Sequence, residues 1–405
     1  MAVKFTKPEI NVREKLAELD KPSGIAGEAM LRAETPQEQF NLIGAGRKNM
    51  IINGAMQVAQ RGTVTGINTA TANYGAADRH AFYVNGNGAT FTSSQEASGP
   101  PGFTKTTLID CTTANSSALT GNQEIKTQYA IEAYDLCGVG FGTTSAQPLT
   151  ISFWCKTNQT GNFVLWFYRQ DGTRTTSIPV PVHSANTWEY KTVTIQPDTS
   201  NTVAIDNTAG MYVSMILNTG PGYTSGTSPN GNWETIVTVN RHVGCTFTIG
   251  NSTSDYFEYT GLQVETGKVA TPFEHRSYGE ELALCERYYQ KSYDKDAYVT
   301  GSTSLSSVGA VDHYGSSDAT NVLAQVYFRT QMRDAPTVTT YDPNSSNGGN
   351  AYSGRAYINS NSGSASYNTT TNNIGTTSFR SYVPRNGAAW AAHRLIFQWQ
   401  ADAEL

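Results

Sequence analysis

The hydrophobic and polar positions change period near residue 277. Before that point apolar residues alternate with polar ones in short runs bounded by Gly, Pro, Asn and Asp, as half-buried strands do. Runs at 81–84, 149–156, 162–169, 189–196, 211–217 and 245–249 predict strands, with turns at Asp171-Gly172, Asn201-Thr202, Gly220-Pro221-Gly222 and Asn230-Gly231-Asn232. Thr260, Leu262 and Val264 alternate with Gly261, Gln263 and Glu265, predicting a last strand buried on one face, and Pro272 forbids a further central strand. From Ser277 the period becomes helical through Leu282, Cys285 and Tyr289, and Ser277 with Glu280 has the spacing of a capping box. Beyond it, runs at 323–329, 337–341, 351–358, 378–383 and 395–400 again read as strands. The pattern predicts a mainly β protein. It has an antiparallel jelly-roll β-sandwich at 49–278, a connecting helix at 279–292 and a smaller C-terminal β domain at 293–405.

Residues 1–48 differ in kind. They hold eight Lys/Arg and seven Asp/Glu, about twice the charge density of the whole chain. Asn11 with Glu14 can cap a helix carrying Val12, Leu16 and Leu19, and Thr35-Pro36-Gln37-Glu38 marks a second helix start. Each helix is too short to hold alone in water, so the segment is expected to be an arm that orders on a partner.

Composition narrows the function. Only 15% of the 405 residues are charged and the net charge is -5, so the chain has no electrostatic footprint for nucleic acid. No apolar run approaches the roughly 20 residues of a membrane span, and MAVKFTKPEI lacks the hydrophobic core of an export signal. Cys111, Cys137, Cys155, Cys245 and Cys285 are odd in number and without CxxC spacing, which predicts reduced thiols and assembly in a cytoplasm. His80, His183, His242, His275, His313 and His393 stand singly, with no HExxH, GxSxG, Walker or DxDxDG pattern. No catalytic residue, cofactor or metal site is therefore expected.

Two groups of residues carry a family resemblance. Asn49-Met50-Ile51-Ile52-Asn53-Gly54, Gln60-Arg61-Gly62-Thr63 and Ala77-Asp78-Arg79 open the β region. Gln263-Val264-Glu265, 270–274, Glu280-Glu281-Leu282, Cys285 and Arg287-Tyr288-Tyr289 close it. Over residues 49–290, and more faintly over 328–338, the chain resembles tail fibre and minor structural proteins of tailed-bacteriophage virions. The pieces at 150–169 and 186–195 resemble the jelly roll of carbohydrate-binding modules. Ala59 and His80 stand where that family usually has aromatic residues.

The resemblance implies a virion structural protein, not an enzyme. It would be anchored to other tail proteins by residues 1–48, assembled as a homo-oligomer, a trimer by analogy, and would present its β domains to a host-surface glycan. A head fibre or capsid decoration protein and a polysaccharide-degrading tail enzyme are the alternatives. Phe153, Trp154, Phe163, Trp166, Phe167 and Tyr168 are expected in the core. Trp233 and Tyr223, in the loops PNGNWET and GPGYTSG, are the expected exposed glycan or receptor contacts, and the Ser/Asn/Gly-rich loops at 344–349 and 359–364 are further candidates. Asp78-Arg79 is expected to be a structural ion pair.

Overall fold

Leu149, Ile151, Phe153 and Cys155 alternate with Thr150, Ser152, Trp154 and Lys156, and this period of two sends the first set into a core in which each is essentially inaccessible. The same logic repeats along the sandwich strands of the computed structural model, which describes residues 48–86, 88–294, 310–316, 321–343, 353–360, 363–384 and 392–405. The arm expected at 1–48 and the loop at 344–349 lie outside the described residues, apart from Lys48. The sandwich strands are β1 (Val64–Ile67), β2 (Asn73–Tyr74), β3 (His80–Asn85), β4 (Thr90–Glu96), β5 (Thr106–Thr113), β6 (Glu124–Glu132), β7 (Leu149–Thr157), β8 (Gly161–Arg169), β9 (Arg174–Val182), β10 (Glu189–Ile195), β11 (Ala209–Thr219), β12 (Glu234–Thr235) and β13 (Tyr256–Thr266). They form a six-stranded sheet, β1-β4-β5-β13-β7-β10, and a seven-stranded sheet, β12-β9-β8-β11-β6-β3-β2, antiparallel at every pairing. This is a jelly-roll sandwich, as the strand pattern predicts. Its core is aromatic: Phe163 meets Phe153 and Phe257 at 6.0 and 5.5 Å, and Phe82 meets Phe91 at 5.2 Å.

Two expectations are corrected. Residues 245–249 are not a strand. Phe247 and Ile249 are buried, but Thr246 and Phe247 both donate to the single carbonyl of Asn162, so the segment plugs the sandwich end without joining a ladder. The last strand, β13, is buried on both faces, not one. Its polar Gln263 and Glu265 lie beneath the strap at 271–276. Glu265 accepts from the Thr271 amide and hydroxyl at 2.9 and 2.6 Å, and Gln263 accepts from the Glu274 amide at 2.9 Å.

The opening and closing motifs meet here. Asn49 accepts from the Val264 amide at 3.1 Å and donates to the Leu262 carbonyl at 3.2 Å, while Arg276 donates to the Asn49 and Ile51 carbonyls at 2.7 and 3.1 Å. Gly54 is required by the close approach, because a Cβ there would stand 2.2 Å from the Leu262 carbonyl oxygen.

Ser277 caps helix α1 (Tyr278–Glu286) with the predicted reciprocal bonds to Glu280. The helix is shorter than expected. Arg287 ends it, and Tyr289 begins strand β14 (Tyr289–Lys291) instead of continuing the helical stripe. Cys285 and Tyr288 pack on Ile52 and Val58, so the helix is seated against the opening motif.

The C-terminal strands are β15 (Val311–Ser316), β16 (Asn321–Tyr327), β17 (Thr337–Tyr341), β18 (Arg355–Ser360), β19 (Gly363–Asn368), β20 (Thr370–Asn372), β21 (Ser378–Pro384) and β22 (Ala392–Asp402). The long β22 organises them, lying between β15 and β18 in its first half and between β14 and β17 in its second. A second apolar core gathers Phe379, Leu395, Phe397 and Trp399. Residues 49–405 nonetheless pack as one compact unit. All five cysteines are free thiols, and burial pushes those of Cys155 and Cys245 up to about 12, away from reactivity.

Candidate functional site

On the outer face of the six-stranded sheet the even-numbered positions of β7 face away from the core. Register carries Trp154 between Tyr190 of β10 and Thr260 of β13, and Lys156 opposite Glu258. The rings of Trp154 and Tyr190 lie 5.3 Å apart, and Tyr190 is 47% exposed. Beside them Lys156 places its ammonium 5.0 Å from the Trp188 ring and 5.9 Å from that of Tyr256, and is neutralised by Glu258 at 2.7 Å. The Tyr256 hydroxyl donates to Asn186 at 2.8 Å, and burial, with Glu258 nearby, raises its pKa. Four half-exposed or exposed aromatic side chains thus share one face with amide, hydroxyl and ammonium groups between them.

This platform adjoins a cleft of about 630 Å³ at the open edge of the sandwich, lined by Ile178, Pro181 and His183 on one wall and Glu189, Tyr190 and Lys191 on the other. β10 is an edge strand, and β9 beyond Thr175 pairs only with β8, so the cleft lies between two unpaired edges. Pro179 and Pro181 have no amide to offer on that edge and blunt it against strand addition. Glu189 accepts from the amides of His183 and Ser184 at 2.9 and 2.7 Å and pairs with Lys191. Although desolvation opposes it, these bonds hold its carboxyl below the usual range. A tied-down, ion-paired carboxylate is a poor general acid, and its place beside Tyr190 suits a polar wall for hydroxyl groups.

The seven-stranded sheet has its own outer aromatics, in a different arrangement. Trp166, Tyr168 and Tyr212 stack on one another with interplanar angles of 11° and 15°, and Arg241 covers the Trp166 ring at 4.0 Å. Trp166 is buried under Arg241, and Tyr168 and Tyr212 are half-buried in the stack, whereas Tyr190 on the other sheet is exposed. The six expected core aromatics therefore divide. Phe153, Phe163 and Phe167 enter the sandwich core, Trp166 is buried in a separate cluster, and Trp154 and Tyr168 lie on outer faces.

Tyr223 and Trp233 are in loops, as expected, but neither is freely exposed. Tyr223 is buried between His242 at 4.6 Å and the Arg241 guanidinium at 4.4 Å. Trp233 is half-buried against the core, with its ring 5.6 Å from Phe141 and its indole donating to the Gln196 carbonyl at 2.8 Å. A flat ring with a polar tip seals a loop as well as it binds a ligand, and turn composition alone does not tell these apart. Of the candidate loop at 359–364, residues 361 and 362 lie outside the described residues, and its flanks are the paired ends of β18 and β19.

Asp78 and Arg79 are structural, but not as partners of each other. Asp78 accepts from the amide and side chain of Gln60 at 2.9 and 2.7 Å, and Arg79 pairs with Glu404 while its guanidinium lies 3.5 Å from the Tyr288 ring. His80 fills the place where an aromatic residue was expected, with ring centroids 5.2 Å from Tyr129 and 5.8 Å from Tyr259. Burial, with Arg79 adding to it, lowers its pKa to about 3 and keeps it neutral. Among the described residues no group of three or more His, Cys, Asp and Glu is placed to hold a metal ion.

No family model matches the chain, and no curated protein does. Solved structures do match in fold. They include the enzymatically active domain of tailspike protein 4 of bacteriophage CBA120, at 8% identity and TM-score 0.28, covering 54% of this chain and 21% of that one. Others are the family 11 carbohydrate-binding module of a Clostridium thermocellum cellulosomal cellulase (12%, TM-score 0.26, 52% and 99%) and a xylan-binding domain from Paenibacillus barcinonensis (6%, TM-score 0.24, 52% and 99%). The chain thus spans about a fifth of the tailspike domain and nearly the whole of each binding module. These are likenesses of fold alone.

Proposed function

We propose that this chain is a non-enzymatic virion protein of a tailed bacteriophage, a tail fibre that binds a host-surface glycan through the outer face of its six-stranded sheet. One observation carries the glycan reading: Trp154, Trp188, Tyr190 and Tyr256 gather on one sheet face around Lys156, with Tyr190 bordering a cleft that carries Glu189 and Lys191 on one wall. Sugar rings lay their apolar C–H faces on such side chains while polar neighbours take the hydroxyls. The virion reading is supported by the opening and closing motifs, which the fold brings into contact as one structural lock. In this reading residues 1–48 dock on other tail proteins, and a homotrimeric assembly multiplies weak contacts into firm attachment.

The test is binding of the full chain to envelope polysaccharide of the phage's host, with the doubly substituted Trp154→Ala/Tyr190→Ala protein as control. Retention of the polysaccharide by the parent and its loss in the variant, with an unchanged far-UV spectrum, is the expected result. Equal binding by both, or release of new reducing ends by the parent, overturns the proposal, the second outcome in favour of a polysaccharide-degrading enzyme.

A further inference from the structure

A second concavity, of about 400 Å³, opens where the sandwich meets the C-terminal strands. Its sandwich wall carries Arg61, Ala72 and Tyr74, and the opposite wall Tyr289, Tyr293, Tyr341, Gln400 and Asp402. The Arg61 guanidinium is fixed. It lies 3.7 Å from the Tyr289 ring and 5.4 Å from that of Tyr74, and is held by Asp402 at 3.0 Å and Glu404 at 3.2 Å. The hydroxyls of Tyr289 and Tyr293 both donate to the Gln400 side-chain carbonyl, at 3.0 and 3.3 Å, which leaves the amide nitrogen of Gln400 without a partner among the described residues. The Asp402 carboxylate, although it bonds Arg61 and the Glu404 amide, stays 40% exposed. Tyr289 and Tyr293 stay neutral, since burial raises both hydroxyls, Tyr293 to about 12.

The cleft therefore has four tyrosines in its lining, Tyr74 half-exposed and Tyr289, Tyr293 and Tyr341 presenting only ring edges, with a fixed planar cation beside a carboxylate, and an amide donor. The charges of Arg61 and Asp402 cancel, so an anion gains nothing by entering, and the density of polar groups disfavours a purely apolar guest. Rings for C–H faces, a donor and an acceptor for hydroxyls, and no net charge are what a neutral sugar residue requires, and the volume lies in the range of small-molecule sites. We propose that this junction cleft is a second binding site, for a neutral sugar residue, separate from the aromatic sheet face. The inference rests on the reading of the protein as a saccharide binder, but not on the sheet face itself.

The experiment uses the full chain carrying Trp154→Ala and Tyr190→Ala, so that the sheet face is disabled. Saturation-transfer NMR is recorded with free glucose, galactose, mannose, rhamnose and N-acetylglucosamine. Ala72 is exposed on the rim, so Ala72→Trp fills the cleft without removing any of the bonds above, and Ala72→Ser is the conservative control. The expected result is transfer to at least one sugar, weakened roughly tenfold or more by Ala72→Trp and retained by Ala72→Ser. No transfer to any of the five sugars, or transfer unchanged by Ala72→Trp, overturns the cleft. Binding by the parent that vanishes with Trp154→Ala/Tyr190→Ala leaves the sheet-face reading standing and the cleft refuted. Binding that survives those changes and falls with Ala72→Trp establishes the cleft, and the sheet face is then judged by the polysaccharide-retention assay alone.

Discussion

Glu404→Gln is the sharpest perturbation of the junction that holds the two cores together. Arg79 is 1% exposed, and its bonds go to Glu404, 325 residues away, and to the Ala130 carbonyl at 2.7 Å. Burial works against its charge, and the Glu404 carboxylate together with the oxygens of Tyr129, Tyr288 and Tyr74 more than offsets this, leaving the pKa above the ordinary arginine value. Breaking a buried pair from one side strands the other charge and costs about 3–5 kcal/mol. Glutamine keeps the shape and one acceptor, worth about 1 kcal/mol, so the net loss should be about 2–4 kcal/mol. Arg61 is less affected, because Asp402 still holds it at 3.0 Å.

Urea denaturation followed by tryptophan fluorescence, on parent, Glu404→Gln, Arg79→Met and the double variant, measures the effect and the coupling. The double variant should be more stable than the sum of the single losses predicts, by more than about 1 kcal/mol, because the stranded cation is gone. A Glu404→Gln protein within about 0.5 kcal/mol of the parent, or strict additivity, would refute the reasoning.

Other outcomes follow from single sites. The His80 pKa is about 3 in the fold against 6.5 unfolded, so below pH 6.5 the unfolded state binds the extra proton; stability is full above about 6.5 and falls as pH drops toward 3, by at most about 5 kcal/mol from this group. His80→Phe should flatten that limb of a Tm-versus-pH curve without abolishing it, because burial also drives the His242 pKa down; an unchanged slope would show that His80 does not titrate so. Gly261 has φ +66° and its absent Cβ would lie 2.7 Å from the Phe103 ring, so Gly261→Ala should cost about 2 kcal/mol or more in denaturant unfolding, where a neutral result would contradict the geometry. Ser277→Ala removes the capping box and should cost about 1 kcal/mol, with Ser277→Asp restoring most of it in the same assay.

What the sequence determined is what local physics encodes. Alternation along 149–156 and 162–169 identified strands, though not which of their aromatic residues face the core, and Ser277 with Glu280 marked the helix start, because each depends on neighbours within a turn or a pleat. The opening and closing motifs were legible as words but not as a sentence. Only the fold shows that Asn49 bonds Val264, and that Glu404 neutralises Arg79.

The platform was hidden for the same reason. Trp154 and Tyr190 sit on strands well separated in the chain, and their adjacency follows from a cross-strand register that sequence spacing does not contain. The covering of Tyr223 and Trp233 was hidden for the converse reason. Loop position predicts access to solvent only until other parts of the chain close over the ring, here Arg241 and His242 over Tyr223, and Phe141 and the Gln196 carbonyl against Trp233. The lock and the site were decided by tertiary structure, because each requires residues tens to hundreds of positions apart to meet, and burial on the second face of β13 required the strap at 271–276 to fold back over it.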